Sequence, residues 1–199
     1  MIVIDTETSG VDTNKNGLIS IGAVDFDNPS NRFYGECYVF ENAHIDDDAL
    51  KINGFNEQDI RDTSKMSEKE LCEKFIDWTK VPADLTLAGE NPSFDRDFLR
   101  MAFLRSRMNW PFAYRTVDLH SVAISYLLSK NIPVPARNKH FDFGLDEILE
   151  FTGLPENPLP HHALHDALLE AEAISRLIYG KNLLFEFEQN EIPEYLVMP

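Results

Sequence analysis

Three observations predict an α/β fold. Strand-like and helix-like patterns alternate along the chain. The first three strand patterns come in direct succession, most simply an antiparallel meander, before any long helix. The chain has 199 residues, 43% of them hydrophobic, enough to bury a core and most simply organised as one domain. That domain is expected over about residues 1–180, with 181–199 as a C-terminal tail.

The opening stretch, Met1-Ile-Val-Ile-Asp-Thr-Glu-Thr-Ser-Gly10, is an apolar run that ends in two acids. Residues two apart on a strand share a face. Met1, Val3, Asp5 and Glu7 therefore line one face, with the carboxylates at the strand's carboxyl end. Two like charges so close repel unless a cation sits between them, and hard divalent ions take such oxygen ligands. Alternation in Leu18–Asp27 predicts a second strand. Asn28–Asn31 is a turn, and the aromatic and β-branched run Arg32–Phe40 predicts a third.

Asp46–Ile60 reads as one or two short helices. Within it Phe55 follows Gly54, and on local evidence it is a core aromatic anchoring a loop, although an aromatic beside a site can stack on a base. Ser67–Lys80 is a helix with a capping-box pattern at Ser67 and Glu70 and a staple from Met66 to Leu71. Its stripe of Leu71, Phe75 and Trp78 marks it as structural.

Leu85–Ala88 predicts a fourth strand. A helix over about Ser93–Arg107 follows, with Asn91 as N-cap and Pro92 at its first position. Asp95 lies in its first turn, close to the preceding strand, and Asp97 points to another side. Arg96, Arg100, Arg105 and Arg107 make this helix unusually basic for so acidic a chain; a solvated face that balances charge is the plainer reading.

Tyr114–Leu119 is a fifth strand running into a helix that ends near Ser129. Asn131–Asp142, with Pro133, Pro135, Arg137, Lys139 and His140, is the candidate for a mobile, positively charged flap. Gly144–Gly153 is a short helix with a glycine stop. The last long helix covers about Ala163–Tyr179 and is preceded by His161-His-Ala-Leu-His-Asp166. Residues five apart on a helix sit about 140° apart, so His161 and Asp166 converge only if His161 lies in the loop before the first turn. The tail mixes aromatics, leucines and acids, and either packs back on the domain or docks a partner.

The net charge of −16 argues against a broad basic surface for duplex DNA. It leaves room for a small site that holds phosphate through metal ions and a few local cations. Cys37 and Cys72 fit no zinc spacing or redox motif and read as buried thiols of a reducing compartment. An acid interrupts the opening apolar run too early for a signal peptide. No segment is long enough to span a membrane, so a cytoplasmic protein without membrane contact is expected.

Taken together, the motifs resemble those of the DEDDh 3′→5′ exonucleases of the DnaQ-like, RNase H-like superfamily, in particular the polymerase III epsilon and RNase T group. Asp5 and Glu7 in Asp5-Thr-Glu-Thr-Ser-Gly10 match the first two acids. Asp95 in Phe94-Asp-Arg-Asp-Phe-Leu99 matches the third. His161 and Asp166 match the catalytic histidine and fourth acid. Ile52-Asn-Gly-Phe55 resembles a segment usually written His-Gly-Ile. The resemblance spans about residues 1–178. Glu90 and Asn53 stand where many members have histidine, which bears on how the terminal nucleotide is held.

The resemblance implies a five-stranded sheet of order 3-2-1-4-5 with strand two antiparallel. It implies two Mg²⁺ or Mn²⁺ ions bound by Asp5, Glu7, Asp95 and Asp166, with His161 taking a proton from the attacking water. It places Thr6, Thr8, Phe55 and Asn91 near the substrate, a single-stranded DNA or RNA 3′ end cut to 5′-mononucleotides, with DNA slightly favoured. An exoribonuclease of the same fold, a non-catalytic binding module and a polymerase-associated proofreading subunit remain as alternatives, and a homodimer or a polymerase as partner stays open.

Overall fold

In the computed structural model, which describes residues 1–197, the predicted sheet forms in the order β3-β2-β1-β4-β5. The last two residues of the expected tail, Met198 and Pro199, lie outside the described residues. The central strand β1 (Ile2–Thr8) is buried over nearly its whole length. It pairs antiparallel with β2 (Leu18–Asp25), and β2 pairs antiparallel with β3 (Arg32–Glu36). On the other side β1 pairs parallel with β4 (Leu87–Gly89), which pairs parallel with β5 (Val117–Asp118). The predicted third strand is shorter than expected. Its regular pairing stops where Glu36 meets Ser20; the Cys37 amide makes one more bond to Ile19, and the chain then bridges to Met66.

The pleat of β1 sorts its residues between two cores. Ile2 and Ile4 face one cluster, built with α3 (Glu68–Trp78) and α4 (Pro92–Arg105). Val3 faces the other, built with α5 (Leu119–Ser129), α6 (Leu145–Thr152) and α7 (Ala163–Tyr179). A smaller cluster under α1 (Asp47–Asn53) and α2 (Glu57–Ile60) gathers Ile19, Val39, Leu50 and Ile60.

The helix starts follow their local chemistry. Ser67 and Glu70 form the reciprocal capping box on α3, and the Asp118 carboxylate accepts from the Ser121 amide to cap α5. Asn91 is the N-cap of α4 and Pro92 its first residue, as expected, but the cap is made without the Asn91 side chain. Asn91 adopts a left-handed conformation there, at φ 45°. The stretch expected as a flap forms a small hairpin of β6 (Ala136–Arg137) and β7 (His140–Phe141), with Arg137 paired to Asp142 at 2.7 Å.

The tail packs on the domain around one side chain. Arg176 is fully buried and pairs with Glu172 at 2.8 Å. Its guanidinium also donates to the carbonyls of Thr152, Phe187 and Asn190. Glu172 in turn accepts from the amides of Leu183 and Leu184. The chain then closes with α8 (Glu194–Val197), where the Tyr195 hydroxyl donates to the Phe151 carbonyl at 2.6 Å. Among the described residues no helix is long and apolar enough to cross a membrane.

Candidate active site

The alternation that builds the two cores also distributes the acids. Asp5 and Glu7 follow Val3 onto the face covered by α7. There Asp5, Glu7 and Asp166 each bring a carboxylate oxygen within 4.8 Å of the others. Thr6 points to the opposite face, toward α4, and its hydroxyl donates to Asp95 Oδ1 at 2.8 Å. Asp95 thus reaches the same sheet edge from the other layer.

The close approach of α7 depends on a missing side chain. Gly22 sits opposite Asp5 in the β1–β2 ladder. A Cβ there would lie 2.1 Å from the backbone of Ala163 and Leu164. The first turn of α7 therefore rests directly on β2 beside Asp5.

His161 lies in the loop before α7, as convergence requires, with Nδ1 3.6 Å from Asp166 Oδ2. Its amide donates to the Ile52 carbonyl at 2.9 Å, which ties the loop to α1. The neighbouring His162 turns away and stacks on Tyr34 of β3, ring centroids 4.3 Å apart. Asn53, in the position where a histidine was noted for many similar proteins, is buried and donates to the Thr8 carbonyl at 3.1 Å. It braces the end of β1 and also lines the opening beside Ile52.

These residues enclose a cavity of about 210 Å³ with Asp5, Glu7 and His161 at its polar end and Phe94 and Ile52 on its apolar sides. Thr6 and Thr8 line it. Phe55 and Asn91 do not. Phe55 packs on the small cluster under α1, with the Lys65 ammonium 5.3 Å from its ring centre. Asn91 lines a separate opening with Glu90, His120 and Phe141. The aromatic at the acidic cavity is Phe94, one residue before Asp95.

The acids are destabilised as anions. Burial is the largest cause in each case, and their mutual repulsion adds to it. It pushes Glu7 up to about 8, with Asp166 and Asp95 as the nearest repelling charges. Asp95 rises to about 7 even though the Thr6 hydroxyl bond favours its charged form. Asp5 is raised well above the ordinary carboxylate range. A fifth acid, Glu170, lies fully buried beneath them and is raised by burial and by Asp95. Glu170 was not singled out from the sequence, although it lies one turn after Asp166 and so on the same side of α7. Its Oε2 sits where a side chain on Gly89 would have to go, 2.8 Å from that position.

Glu7 Oε1 and Asp166 Oδ1 are buried with no hydrogen-bond partner. Buried polar atoms are rarely left unpaired, and unpaired carboxylate oxygens that converge are the hard donors a divalent cation takes. The donor set fits such an ion, with Asp5, Glu7 and Asp166 as the group closest together.

The sheet order is that of the RNase H-like exonuclease fold, with the acids gathered at one edge of it. The chain belongs to the DnaQ-like 3′→5′ exonucleases: the RNase T exonuclease family model matches residues 2–174. It is 27% identical over 205 residues to the DNA polymerase III subunit epsilon of Pasteurella multocida, covering 96% of this chain and 73% of that one. It is 26% identical to the 3′-5′ DNA exonuclease Cap18 of Escherichia coli, covering 89% of this chain and 90% of that one. Among solved structures, exonuclease I superposes with a TM-score of 0.72 at 20% identity. That match covers 90% of this chain and 40% of exonuclease I, so the chain spans about two fifths of that protein.

Proposed function

We propose that the chain removes 5′-mononucleotides from the 3′ ends of single-stranded nucleic acid in a reaction that needs a divalent cation, Mg²⁺ or Mn²⁺, with DNA slightly favoured. The observation that carries this reading is the convergence of Asp5, Glu7 and Asp166 within 4.8 Å, beside His161. Phosphodiester is anionic, and a cluster of acids repels it unless positive charge intervenes. What a bound divalent ion supplies is that charge, together with a lowered pKa for an attacking water.

The chain's own residues do the rest. His161 takes the proton from the water whose oxygen attacks phosphorus, and the bond from phosphorus to the 3′ oxygen breaks. A positioned base of this kind contributes roughly 10²–10⁴-fold. Asp166 lies 3.6 Å from His161 Nδ1 and, with Asp5 and Glu7, would hold the ion. Asp95, held by Thr6, completes the acidic wall. Phe94 offers a face for the terminal base, and a base must be unpaired to reach it, which favours single strands. Support for DNA comes from the relatives, one named as a polymerase III subunit and one as a DNA exonuclease.

The test is a time course on 5′-labelled DNA and RNA strands of identical sequence, with Mg²⁺, Mn²⁺ or EDTA. A ladder that shortens from the 3′ end only with metal is the expected result, with DNA the faster. H161A should bind metal, read as a thermal shift, and lose roughly 10²-fold or more of turnover. No cleavage of either strand by the folded wild-type chain would refute the reading.

A further inference from the structure

The basic density of α4 separates into two parts. Arg105 is structural, bonded to both Glu68 oxygens at 2.8 and 2.6 Å and placed over the Phe40 ring. Arg96 is paired with Asp97 and reaches the Tyr114 carbonyl. Arg100, by contrast, is exposed and has no carboxylate partner among the described residues. Arg107, just past the end of the helix, and Arg115 share that state among the described residues, but neither lines a cavity with the face of α4 that carries Phe94.

Arg100 lines a second cavity, of about 430 Å³, whose other walls include Met101, Leu104, Met108 and Trp110. This cavity lies along the same two chain segments as the acidic one. Phe94 of α4 and Val11 of the β1–β2 loop wall the first; Asp97 and Thr13, one step further along the same two segments, wall the second. Residues at 94, 97, 101 and 104 follow helical spacing and share one face of α4. From Phe94 to Leu104 the helix rises about 15 Å, the reach of a few nucleotides. The face ends in apolar surface that water would otherwise cover: Leu104 is 67% exposed. Asp97 does not oppose a phosphate there, because Arg96 already neutralises it.

We propose that this cavity is the seat of the polynucleotide upstream of the scissile bond, with Arg100 on a phosphate and a base resting against Leu104, Met101 and Trp110. The proposal rests on the reading of the site as a nuclease of single strands. It commits to the strand as occupant because the cavity follows Phe94 along one face of α4 and its unpaired charge, Arg100, is the cation a phosphate requires.

The experiment compares a dinucleotide with a long single strand in the wild-type chain, R100Q and L104E. The dinucleotide has a single phosphodiester, the scissile one, and so brings no upstream phosphate to Arg100; it serves as the internal reference. Relative to it, L104E should raise KM for the long strand by about fivefold or more, the range for loss of a stacked base. R100Q should flatten the dependence of log affinity on log salt by about 0.7, the slope for one phosphate contact on a single strand. Equal effects on both substrates, or none on either, would overturn the proposal while leaving the nuclease reading intact. A change confined to the sedimentation of L104E would assign the cavity to a second copy of the chain and overturn it too. Failure of the wild type to cut either substrate would refute the underlying reading instead.

Discussion

Gly22→Ala is the substitution that probes how the site is held together. Two effects oppose each other. Alanine in a strand interior is favoured over glycine by roughly 0.5–1 kcal/mol, because the unfolded chain loses freedom. Against that, the new Cβ would sit 2.1 Å from Ala163 and Leu164, where ordinary contact starts near 3.4 Å, so one side must give by about 1.3 Å. The obstructing atoms are helix backbone, which cannot rotate away as a side-chain tip can. Overpacking of this sort costs about 1–3 kcal/mol, so the clash wins. The melting temperature should fall by a few degrees, at roughly 2–4 °C per kcal/mol for a chain of this size. The larger effect is on turnover. If α7 moves, His161 and Asp166 move with it relative to Asp5, and about 1 Å of misplacement can cost on the order of 10²-fold. Gly35→Ala is the control on the neighbouring strand. Its Cβ meets only the Leu71 Cδ1 tip, at 2.5 Å, so it should cost some stability and leave turnover alone. Melting curves and initial rates on a labelled single strand decide it. A folded G22A with wild-type kcat would refute the idea that α7 is seated by this glycine.

Two further predictions concern stability. Glu7 and Asp95 are held above their unfolded values, so between those values the folded chain keeps protons that the unfolded chain has released. Their stabilising contribution is complete below the unfolded value and is gone once pH passes about 8 for Glu7 and about 7 for Asp95. Urea melts in EDTA should therefore show stability falling as pH rises from 5 to 8, by up to about 1.4 kcal/mol per pH unit for each proton held; a flat profile would contradict the raised values. Millimolar Mg²⁺ or Mn²⁺ should offset that loss at pH 8, and E7Q should reduce the offset, read as a thermal shift. Arg176→Ala strands Glu172 as a buried charge and should cost about 3–5 kcal/mol in urea melts, with the Arg176→Ala/Glu172→Ala pair costing less than the two single losses together.

Much of this site was legible because its motifs lie where local pattern and chemistry agree. The alternation of β1 placed Asp5 and Glu7 on one face, and the loop position required of His161 followed from helical geometry alone. What local pattern missed depends on contacts between distant segments. Glu170 is marked only by its spacing from Asp166, and its burial arises from Gly89 on another element. Arg176 reads from the sequence as one more surface cation; it is buried because carbonyls from α6 and the tail converge on it. Local pattern offers Phe55 for stacking and does not mark Phe94; it is the packing of α1 and α4 that puts Phe94 at the acidic cavity and Phe55 on the cluster under α1. The residues after Glu36 favour a strand too, but beyond the Cys37 amide the chain pairs with Met66 in place of the remaining residues of β2.

The residues of the site also reach the folding chain at very different times. Synthesis runs from the N-terminus, and Asp5 and Glu7 emerge long before His161 and Asp166. Until α7 settles against Gly22, the first acids stand without the base that the proposed chemistry requires. A chain still short of α7 therefore has neither His161 nor Asp166 beside Asp5 and Glu7. Placing the last helix across the first two strands makes completion of the fold the safety catch of the enzyme.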